Sequence, residues 1–347
     1  MYLFHNDYNQ ACLPEIMTKL SACSGEQCDG YGMDDHCARA AALIRNLCED
    51  PSLAVHFLVG GTQTNLIVTA ASLRPHQALI CAESGHVFVH ETGAIEATGH
   101  KVVSLPSRDG KITADQLRAF LQGQKEDANA EHNVQGKMVY ISNPTELGTT
   151  YSRDELAQIS TVCRENGLYL FMDGARLGYA LTASDCDITL ADIAKLCDVF
   201  YIGGTKLGAL FGEAVVISNP IIAEDFRYLI KQRGGLLAKG WLLGLQYEAL
   251  FEDGLYFTAA RHANKMADRL RSTLAQCGYS LYVPGTTNQV FAVLPDPLLS
   301  RLANEFTFML QEKLENGYSA VRFCTSWATT EQSIDALCSA IYGQNNE

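Results

Sequence analysis

Short apolar segments alternate with helical patterns from Leu53 onward, and this alternation limits the folds that are open to the chain. Seven strand candidates precede Asn219, and two of the helical patterns between them cover 114–121 and 153–166. Strands joined through helices form right-handed β-α-β units, whose sheet is largely parallel and buried. The sequence therefore predicts an α/β fold with a mostly parallel seven-stranded sheet and helices on both faces.

The C-terminal third has a different arrangement of predicted elements. A long helix-rich segment covers 226–252, and we place the change of domain within it. Beyond it, a helix, three strand candidates and a final helix predict a small α/β domain. The strand candidates there cover 280–284, 289–295 and 320–324. The predicted organisation is an N-terminal arm at 1–22, a large ligand-binding domain at 23–245 and a small C-terminal domain at 246–347.

Composition excludes several classes of function. With 47% hydrophobic and 19% charged residues among 347, the chain has the make-up of an ordinary globular protein, and no window approaches the roughly 20 apolar residues of a membrane span. The N-terminus lacks the pattern of a signal peptide, so we expect a cytoplasmic location. A net charge of -13 argues against a nucleic-acid partner, which would require clustered lysine and arginine. A small molecule is the expected ligand.

Cysteine spacing and the missing glycine motifs exclude further kinds of site. The 12 cysteines include no CxxC pair, which favours reduced, buried thiols over disulfides or a zinc site, and no metal is expected. Neither GxGxxG nor GxxxxGK[ST] occurs, so the usual dinucleotide and nucleoside-triphosphate signatures are missing.

Lys206 lies in a glycine-rich, nearly uncharged segment between two short apolar runs, Val199–Ile202 and Ala214–Ile217. Runs of this kind form fully buried strands. An ammonium group in such surroundings is costly to desolvate unless it is paired or converted into an imine. A lysine Schiff base with pyridoxal phosphate performs that conversion. The ordinary alternative is a solvated loop lysine.

Two earlier segments have the composition of ligand-binding turns. The glycine-rich turn Gly60–Asn65 lies between a strand and a helix, where free amides can hold a phosphate, although many such turns bind nothing. His86 follows the next strand, and its imidazole can lie flat on an aromatic cofactor or serve as a hydrogen-bonded core residue. His90 and Glu91 share its loop, and Glu91 can orient either histidine.

Asp173 follows the apolar strand Leu168–Met172 directly. The carboxyl end of a buried parallel strand borders the crevice in which open α/β sheets bind ligands. There a carboxylate can keep a pyridine nitrogen protonated, which makes the ring an electron sink. Arg176 lies further round the same turn and can reach the phenolic oxygen of that ring. The structural alternative is an Asp–Arg pair that only stabilises the turn.

With these motifs in this order, the chain resembles the threonine aldolase family, also called the beta-eliminating lyase family, over nearly its whole length. The matching segments are YGMDD, GGTQTN, the HVFVHETGA loop, MDGARL, TKLGALFG and VRFCTSW. The resemblance implies the fold of the fold-type I pyridoxal-phosphate enzymes and pyridoxal 5'-phosphate as the cofactor.

The resemblance also implies a role for each matching residue. Lys206 would form the Schiff base, Asp173 would hold the pyridine nitrogen and Arg176 would bond the phenolic oxygen. His86 would stack on the ring. The remaining assignments are Gly61, Thr62 and Gln63 at the phosphate, Asn6 and Arg322 at the substrate carboxylate, and Tyr31 in the pocket wall.

Two segments depart from the family pattern. Where many members have a histidine near the substrate hydroxyl, this chain reads NPTELGTT and offers Glu146. The segment from which a neighbouring subunit supplies phosphate contacts reads RGGLLAKG, without the matching arginine. Arg233 or Lys239 can substitute for it, and the alternative for both is a solvated charge.

The implied reaction is the low-specificity cleavage of L-threonine and L-allo-threonine to glycine and acetaldehyde. Glu146, or His86 or His90 through water, would take the proton of the hydroxyl group. Two alternatives remain open: β-elimination or cleavage of bulkier β-hydroxy amino acids such as phenylserine by the same cofactor, and a catalytically inactive binding protein with this fold. Family members form homotetramers with active sites at subunit interfaces, and the same assembly is expected here.

Overall fold

The computed structural model describes residues 1–343, which form twelve strands and fourteen α-helices. The strands are β1 (Tyr2–Leu3), β2 (Ala54–Leu58), β3 (Gln77–Ala82), β4 (Lys101–Leu105), β5 (Gln135–Ser142), β6 (Tyr169–Asp173), β7 (Val199–Gly203), β8 (Glu213–Ile217), β9 (Gln289–Pro295), β10 (Phe306–Thr307), β11 (Met309–Lys313) and β12 (Tyr318–Cys324).

The helices vary in length from one turn to six. They are α1 (Pro14–Ala22), α2 (Asp35–Leu47), α3 (Gly61–Ser72), α4 (His86–Val89), α5 (Ala114–Glu126), α6 (Arg153–Glu165), α7 (Leu177–Leu181), α8 (Leu190–Leu196), α9 (Pro220–Ala223), α10 (Phe226–Gln232), α11 (Trp241–Glu252), α12 (Leu255–Gln276), α13 (Asp296–Leu302) and α14 (Glu331–Tyr342). No helix in the described part of the chain combines the length and apolar character that crossing a membrane requires.

Seven strands form the central sheet in the order β2-β8-β7-β6-β5-β3-β4. The pairs from β7 through β4 are parallel, and β8 runs antiparallel to both of its neighbours. Apolar side chains from successive strand residues enter two separate core clusters, so that Leu170 and Met172 belong to one and Phe171 to the other. The predicted seven-stranded, mostly parallel sheet with helices on both faces is therefore confirmed.

A third core cluster lies in the C-terminal part of the chain, where β11, β12 and β9 form an antiparallel sheet. The strand predicted at 280–284 is wrong, because only Leu281 makes an isolated bridge, to Ala292. We did not predict β11, whose five residues are all exposed and so lack the apolar run of a buried strand. Within α12, Ala263 belongs to the first core cluster and Met266 to the third. The domain boundary at 245 stays a prediction.

The N-terminal arm packs against this C-terminal part. The strand β1 pairs in parallel with β10, and the amide of Cys324 donates a hydrogen bond of 2.7 Å to the carbonyl of Phe4. The phenyl ring of Phe4 is buried in the third core cluster. These contacts hold the start of the arm against the C-terminal sheet.

The loop that carries Lys206 joins β7 to β8, and two tyrosine side chains hold its backbone through three hydrogen bonds. The hydroxyl of Tyr247 donates to the carbonyls of Ile202 and Gly212 at 2.6 and 2.8 Å. The hydroxyl of Tyr179 donates to the carbonyl of Lys206 itself at 2.5 Å. Both tyrosines are fully buried, so the loop backbone has little freedom to move.

Replacement of Tyr247 by phenylalanine tests how much this support contributes to stability. The change leaves two buried carbonyls without their shared donor, and we expect the free energy of unfolding to fall by about 1–3 kcal/mol. Urea denaturation of the cofactor-free protein measures the loss. Tyr228→Phe is the matched control, because that side chain is 75% exposed. Equal unfolding midpoints for the two variants would contradict this role of Tyr247.

Candidate active site

A cavity of about 350 Å³ lies at the carboxyl ends of the parallel strands. This edge is where open α/β sheets bind ligands, because the loops that follow the strands meet there. Seven of the predicted site residues line the cavity: Gly61, Thr62, His86, Glu146, Asp173, Arg176 and Lys206. A larger cavity of about 960 Å³, lined mainly by α5 and the start of β5, contains none of them. The smaller cavity is therefore the candidate site.

Asp173 is the last residue of β6 and is 5% exposed. Its Oδ2 atom accepts hydrogen bonds from the hydroxyl of Tyr140 at 2.5 Å and from the amide nitrogen of Asn65 at 3.5 Å. Its Oδ1 atom accepts from the backbone N–H of Ala175 at 2.9 Å. These donors hold the carboxylate in one orientation at the cavity wall.

His86 begins the short helix α4, and its Nδ1 atom lies 2.8 Å from Oε1 of the buried Glu91. The same carboxylate oxygen accepts from the side-chain amide of Asn65 at 2.6 Å. Burial opposes the positive charge on the ring, but the hydrogen bond to Glu91 and the charge of Asp173 raise the pKa of His86. Glu91 therefore fixes the ring and favours its protonated form.

Lys206 projects into the cavity together with Glu213, the first residue of β8. Burial and the charge of Arg176 lower the pKa of the Lys206 amine. Burial likewise raises the pKa of Glu213, whose Oε2 atom is buried without a hydrogen-bond partner in the described structure. A lysine with a lowered pKa has a larger fraction of neutral amine, which is the nucleophilic form.

Glu146 lies in the loop after β5, beside the backbone of His86. Its Oε1 atom accepts hydrogen bonds from the hydroxyl of Ser142 at 2.7 Å and from the backbone N–H of His86 at 2.8 Å. Burial raises the pKa of this carboxyl group, the Ser142 hydrogen bond opposes the shift, and the charge of Asp173 adds to it. A carboxylate with a raised pKa is a stronger base than an ordinary one.

The glycine-rich turn forms the start of α3 and lines the cavity. The N-cap residue is Gly60, and no side chain caps the helix. A helix N-terminus without a capping side chain presents free amides and a partial positive charge, which suit an anion such as phosphate. Gly61 and Thr62 line the cavity, whereas the side chain of Gln63 turns away and donates to the carbonyl of Arg233 at 3.3 Å.

Arg176 is paired with a residue that we did not predict. Its Nε and Nη2 atoms donate to the two carboxylate oxygens of Asp7, at 2.7 and 2.9 Å. The Asp7 side chain is fully buried and belongs to the N-terminal arm. The guanidinium group therefore borders the cavity while two of its nitrogens face the arm.

Three further predicted residues lie near the cavity but do not line it. Asn6 accepts a hydrogen bond of 3.0 Å from the amide of Tyr8, a residue that does line the cavity. Arg322 donates to the carbonyl of His5 at 3.3 Å, which places it beside the same stretch of the arm. The exposed ring of His90 lies 5.6 Å from the ring of His86, centre to centre.

The other predicted residues lie elsewhere in the single chain. Tyr31 is 45% exposed and lines a cavity different from the two described above. The Nζ atom of Lys231 lies 5.0 Å from the centre of the Tyr31 ring. Arg233 directly follows α10 as its C-cap residue, and Lys239 is exposed in the loop that follows. The structure of one chain does not bring these three residues to the cavity.

The sequence did not predict several polar residues of the site: Asp7, Asn65, Tyr140, Glu213 and Tyr201, the last of which also lines the cavity. Tyr140 lies two residues before the end of β5, on the same face as Ser142, so the two-residue period of a strand carried a signal. Asn65 was inside the glycine-rich motif but was not given a role. For Asp7 no local pattern existed, because its partner is 169 residues away.

The fold and the cavity define the class of protein. The histidinol-phosphate aminotransferase structure from Clostridium acetobutylicum matches with a TM-score of 0.72 at 13% identity, over 100% of this chain and 99% of that one, a likeness of fold alone. The architecture is that of the fold-type I pyridoxal-phosphate enzymes. Within that class, the Beta-eliminating lyase family model matches residues 13–296, and this chain belongs to the beta-eliminating lyase family.

Two similar proteins have names that point to one activity. The low specificity L-threonine aldolase of Pseudomonas sp. (strain NCIMB 10558) is 33% identical over 345 residues, which cover 97% of this chain and 96% of that protein. A solved structure of Leishmania major threonine aldolase is 47% identical, with a TM-score of 0.96 over 99% of both chains. The predicted resemblance is therefore confirmed.

Replacement of Glu91 by glutamine tests the electrostatic link to His86. The variant loses the negative charge that raises the pKa of the imidazole, so the pKa of His86 should fall. Histidine Cε1–H resonances followed against pH measure the change, with His86→Asn used to assign the signal. Glu15→Gln, on the exposed surface of α1, is the control. An unchanged midpoint in Glu91→Gln would show that Glu91 does not influence the titration of His86.

Proposed function

We propose that this chain is a low-specificity threonine aldolase that uses pyridoxal 5'-phosphate to cleave L-threonine or L-allo-threonine into glycine and acetaldehyde. The observation that carries the proposal is the presence of Lys206 and Asp173 in one cavity, Lys206 with a lowered pKa and Asp173 at a strand end. The 47% identical threonine aldolase from Leishmania major supports the choice of reaction.

The residues of the cavity fit that cofactor. Lys206 would carry its aldehyde carbon, the carboxylate of Asp173 would face its pyridine nitrogen, and the uncapped start of α3 at Gly61 and Thr62 would hold its phosphate. Arg176 would bond its phenolic oxygen and His86 would stack on its ring. When bound, the cofactor supplies an electron sink for the carbon from which the aldehyde departs.

Binding of the substrate carboxylate is assigned to Asn6 and Arg322. Support comes from the hydrogen bond of Arg322 to the carbonyl of His5, which brings the guanidinium to the residue next to Asn6. A fixed carboxylate orients the amino acid and so selects which bond at its α-carbon is broken. In this assignment the arm and β12 together decide the reaction.

Proton transfer at the β-hydroxyl is assigned to Glu146, with His86 and His90 as the nearby imidazoles. Glu146 lines the cavity, and burial raises its pKa toward the range in which a general base works. The hydroxyl of Ser142 and the N–H of His86 hold the carboxylate in place. Glu146 would take the hydroxyl proton as the carbon–carbon bond breaks.

The proposal extends to the assembly and the location of the protein. We propose a homotetramer built from dimers, in the cytoplasm, with Tyr31, Arg233 or Lys239 reaching the active site of a neighbouring subunit. Each of the three is at least partly exposed in the single chain, as that role requires. Sedimentation of the purified protein measures the subunit number.

Replacement of Lys206 by alanine tests the cofactor and the reaction together. The variant has no amine to join to the aldehyde, so the purified protein should lose its visible absorbance band and release no acetaldehyde from L-threonine. Lys265→Ala, an exposed lysine on α12, should keep both. Formation of pyruvate and ammonia by the wild-type protein, in place of acetaldehyde, would favour β-elimination and refute the proposed reaction.

Replacement of Glu146 by glutamine separates proton transfer from cofactor binding. Loss of a general base lowers kcat by roughly 10²- to 10⁴-fold, while the Kd for pyridoxal phosphate should stay near the wild-type value. In the wild type, activity should fall as the pH drops through the raised pKa of Glu146, and this acid limb should disappear in the variant. Glu131→Gln, on the surface, is the control. A variant with wild-type kcat would exclude Glu146 as the base.

A further inference from the structure

Asp7 is a buried carboxylate in the N-terminal arm, next to an exposed residue. The residue is 1% exposed, whereas its neighbour Tyr8 is 54% exposed. Moving a carboxylate out of water is costly unless hydrogen bonds and an opposite charge compensate for it. The arm therefore needs specific partners for Asp7 wherever it docks.

The principal partner is Arg176, which uses both Nε and Nη2 for the pair, at 2.7 and 2.9 Å. A two-point contact between a planar guanidinium and a carboxylate fixes the orientation of the guanidinium as well as its position. The pair uses the N–H of Nε and one N–H of Nη2, so the N–H groups of Nη1 and the second N–H of Nη2 stay available for a ligand in the cavity that Arg176 lines. Asp7 thus determines which edge of the guanidinium faces the cavity.

Asn288 holds Asp7 from the other side. Its side-chain nitrogen donates to Oδ2 of Asp7 at 2.9 Å and to the carbonyl of Thr325 at 2.8 Å. Asn288 is fully buried and directly precedes β9, and Thr325 directly follows β12. Asp7 therefore connects the arm, the segment after β6 and the C-terminal sheet at one point.

The charges around Asp7 favour its ionised form. Burial acts against ionisation, but Arg176, Lys206 and Asn288 together lower the pKa of this carboxyl group. In return, Asp7 raises the pKa of Arg176 against the effect of burial. Both shifts favour the charged forms, so each partner stabilises the ionised state of the other.

We propose that Asp7 is a positioning residue for the cofactor, acting through Arg176: the arm carboxylate orients the guanidinium so that an N–H group not used by the pair meets the phenolic oxygen of the bound ring. This inference rests on the proposed function. The positioning role differs from a purely structural role, in which loss of Asp7 would weaken the binding of every ligand of the cavity to the same extent.

The test compares two aldehydes that differ only at the atom in question. Pyridoxal phosphate has the phenolic oxygen, and 3-deoxypyridoxal phosphate lacks it. The Kd of each is measured for the cofactor-free full-length protein by absorbance titration. In Asp7→Asn we expect pyridoxal phosphate to bind roughly tenfold or more weakly, because a charge-assisted contact is lost, while the Kd of the deoxy analogue changes little. Asp29→Asn, an exposed residue before α2, is the matched control.

Two further variants keep the test decisive if Asp7→Asn does not fold. Asp7→Glu retains the charge but displaces it by one methylene, so it should show a smaller loss confined to pyridoxal phosphate. Asn288→Ala removes the second anchor of Asp7 and should act in the same direction.

The outcomes separate this inference from the proposed function. Suppose that the wild-type protein binds both aldehydes. If the Asp7 variants then bind both equally more weakly, or bind both as tightly as the wild type does, the positioning role alone is overturned. A wild-type protein that binds neither aldehyde would overturn the proposed function, and the positioning role with it.

Discussion

The ion pair between Arg176 and Asp7 is the interaction on which the geometry of the cavity depends. A buried guanidinium without a partner would be an uncompensated charge at the edge of the sheet, at a cost of several kcal/mol in stability. The arm supplies the missing carboxylate, and the contacts of β1 and Phe4 with the C-terminal part keep the arm in place. One wall of the site is therefore formed by a segment remote from it in sequence.

Around this pair, the cavity combines a rigid backbone with groups that exchange protons. Tyr247 and Tyr179 fix the Lys206 loop, and Tyr140 and Asn65 fix Asp173. Three side chains that line the cavity have shifted pKa values. Burial lowers the pKa of Lys206 and raises that of Glu146, whereas Glu91 and Asp173 raise the pKa of His86 against the effect of burial. Such clustering is expected where a site must hold reacting groups still and yet move protons.

The sheet, and the position of the candidate site at its edge, could be predicted from the sequence because both depend on local patterns. Buried strands have continuous apolar runs, and the residues after them, such as Asp173, must lie at one edge of the sheet. Prediction failed where the cause was distant or the signal weak. The strand β11 has no apolar run, Leu281 forms only a bridge, and the partner of Asp7 cannot be read from its neighbours.

The docking of the arm has a consequence for how the molecule is made. The backbone amide of Phe4 donates to the side chain of Thr307, 303 residues further along, and Tyr2 pairs with Phe306. During synthesis the arm leaves the ribosome long before these partners exist, so it must stay undocked while the central sheet assembles. Until the C-terminal strands have formed, Arg176 lacks its counter-charge, and the completed pocket is a late product of folding.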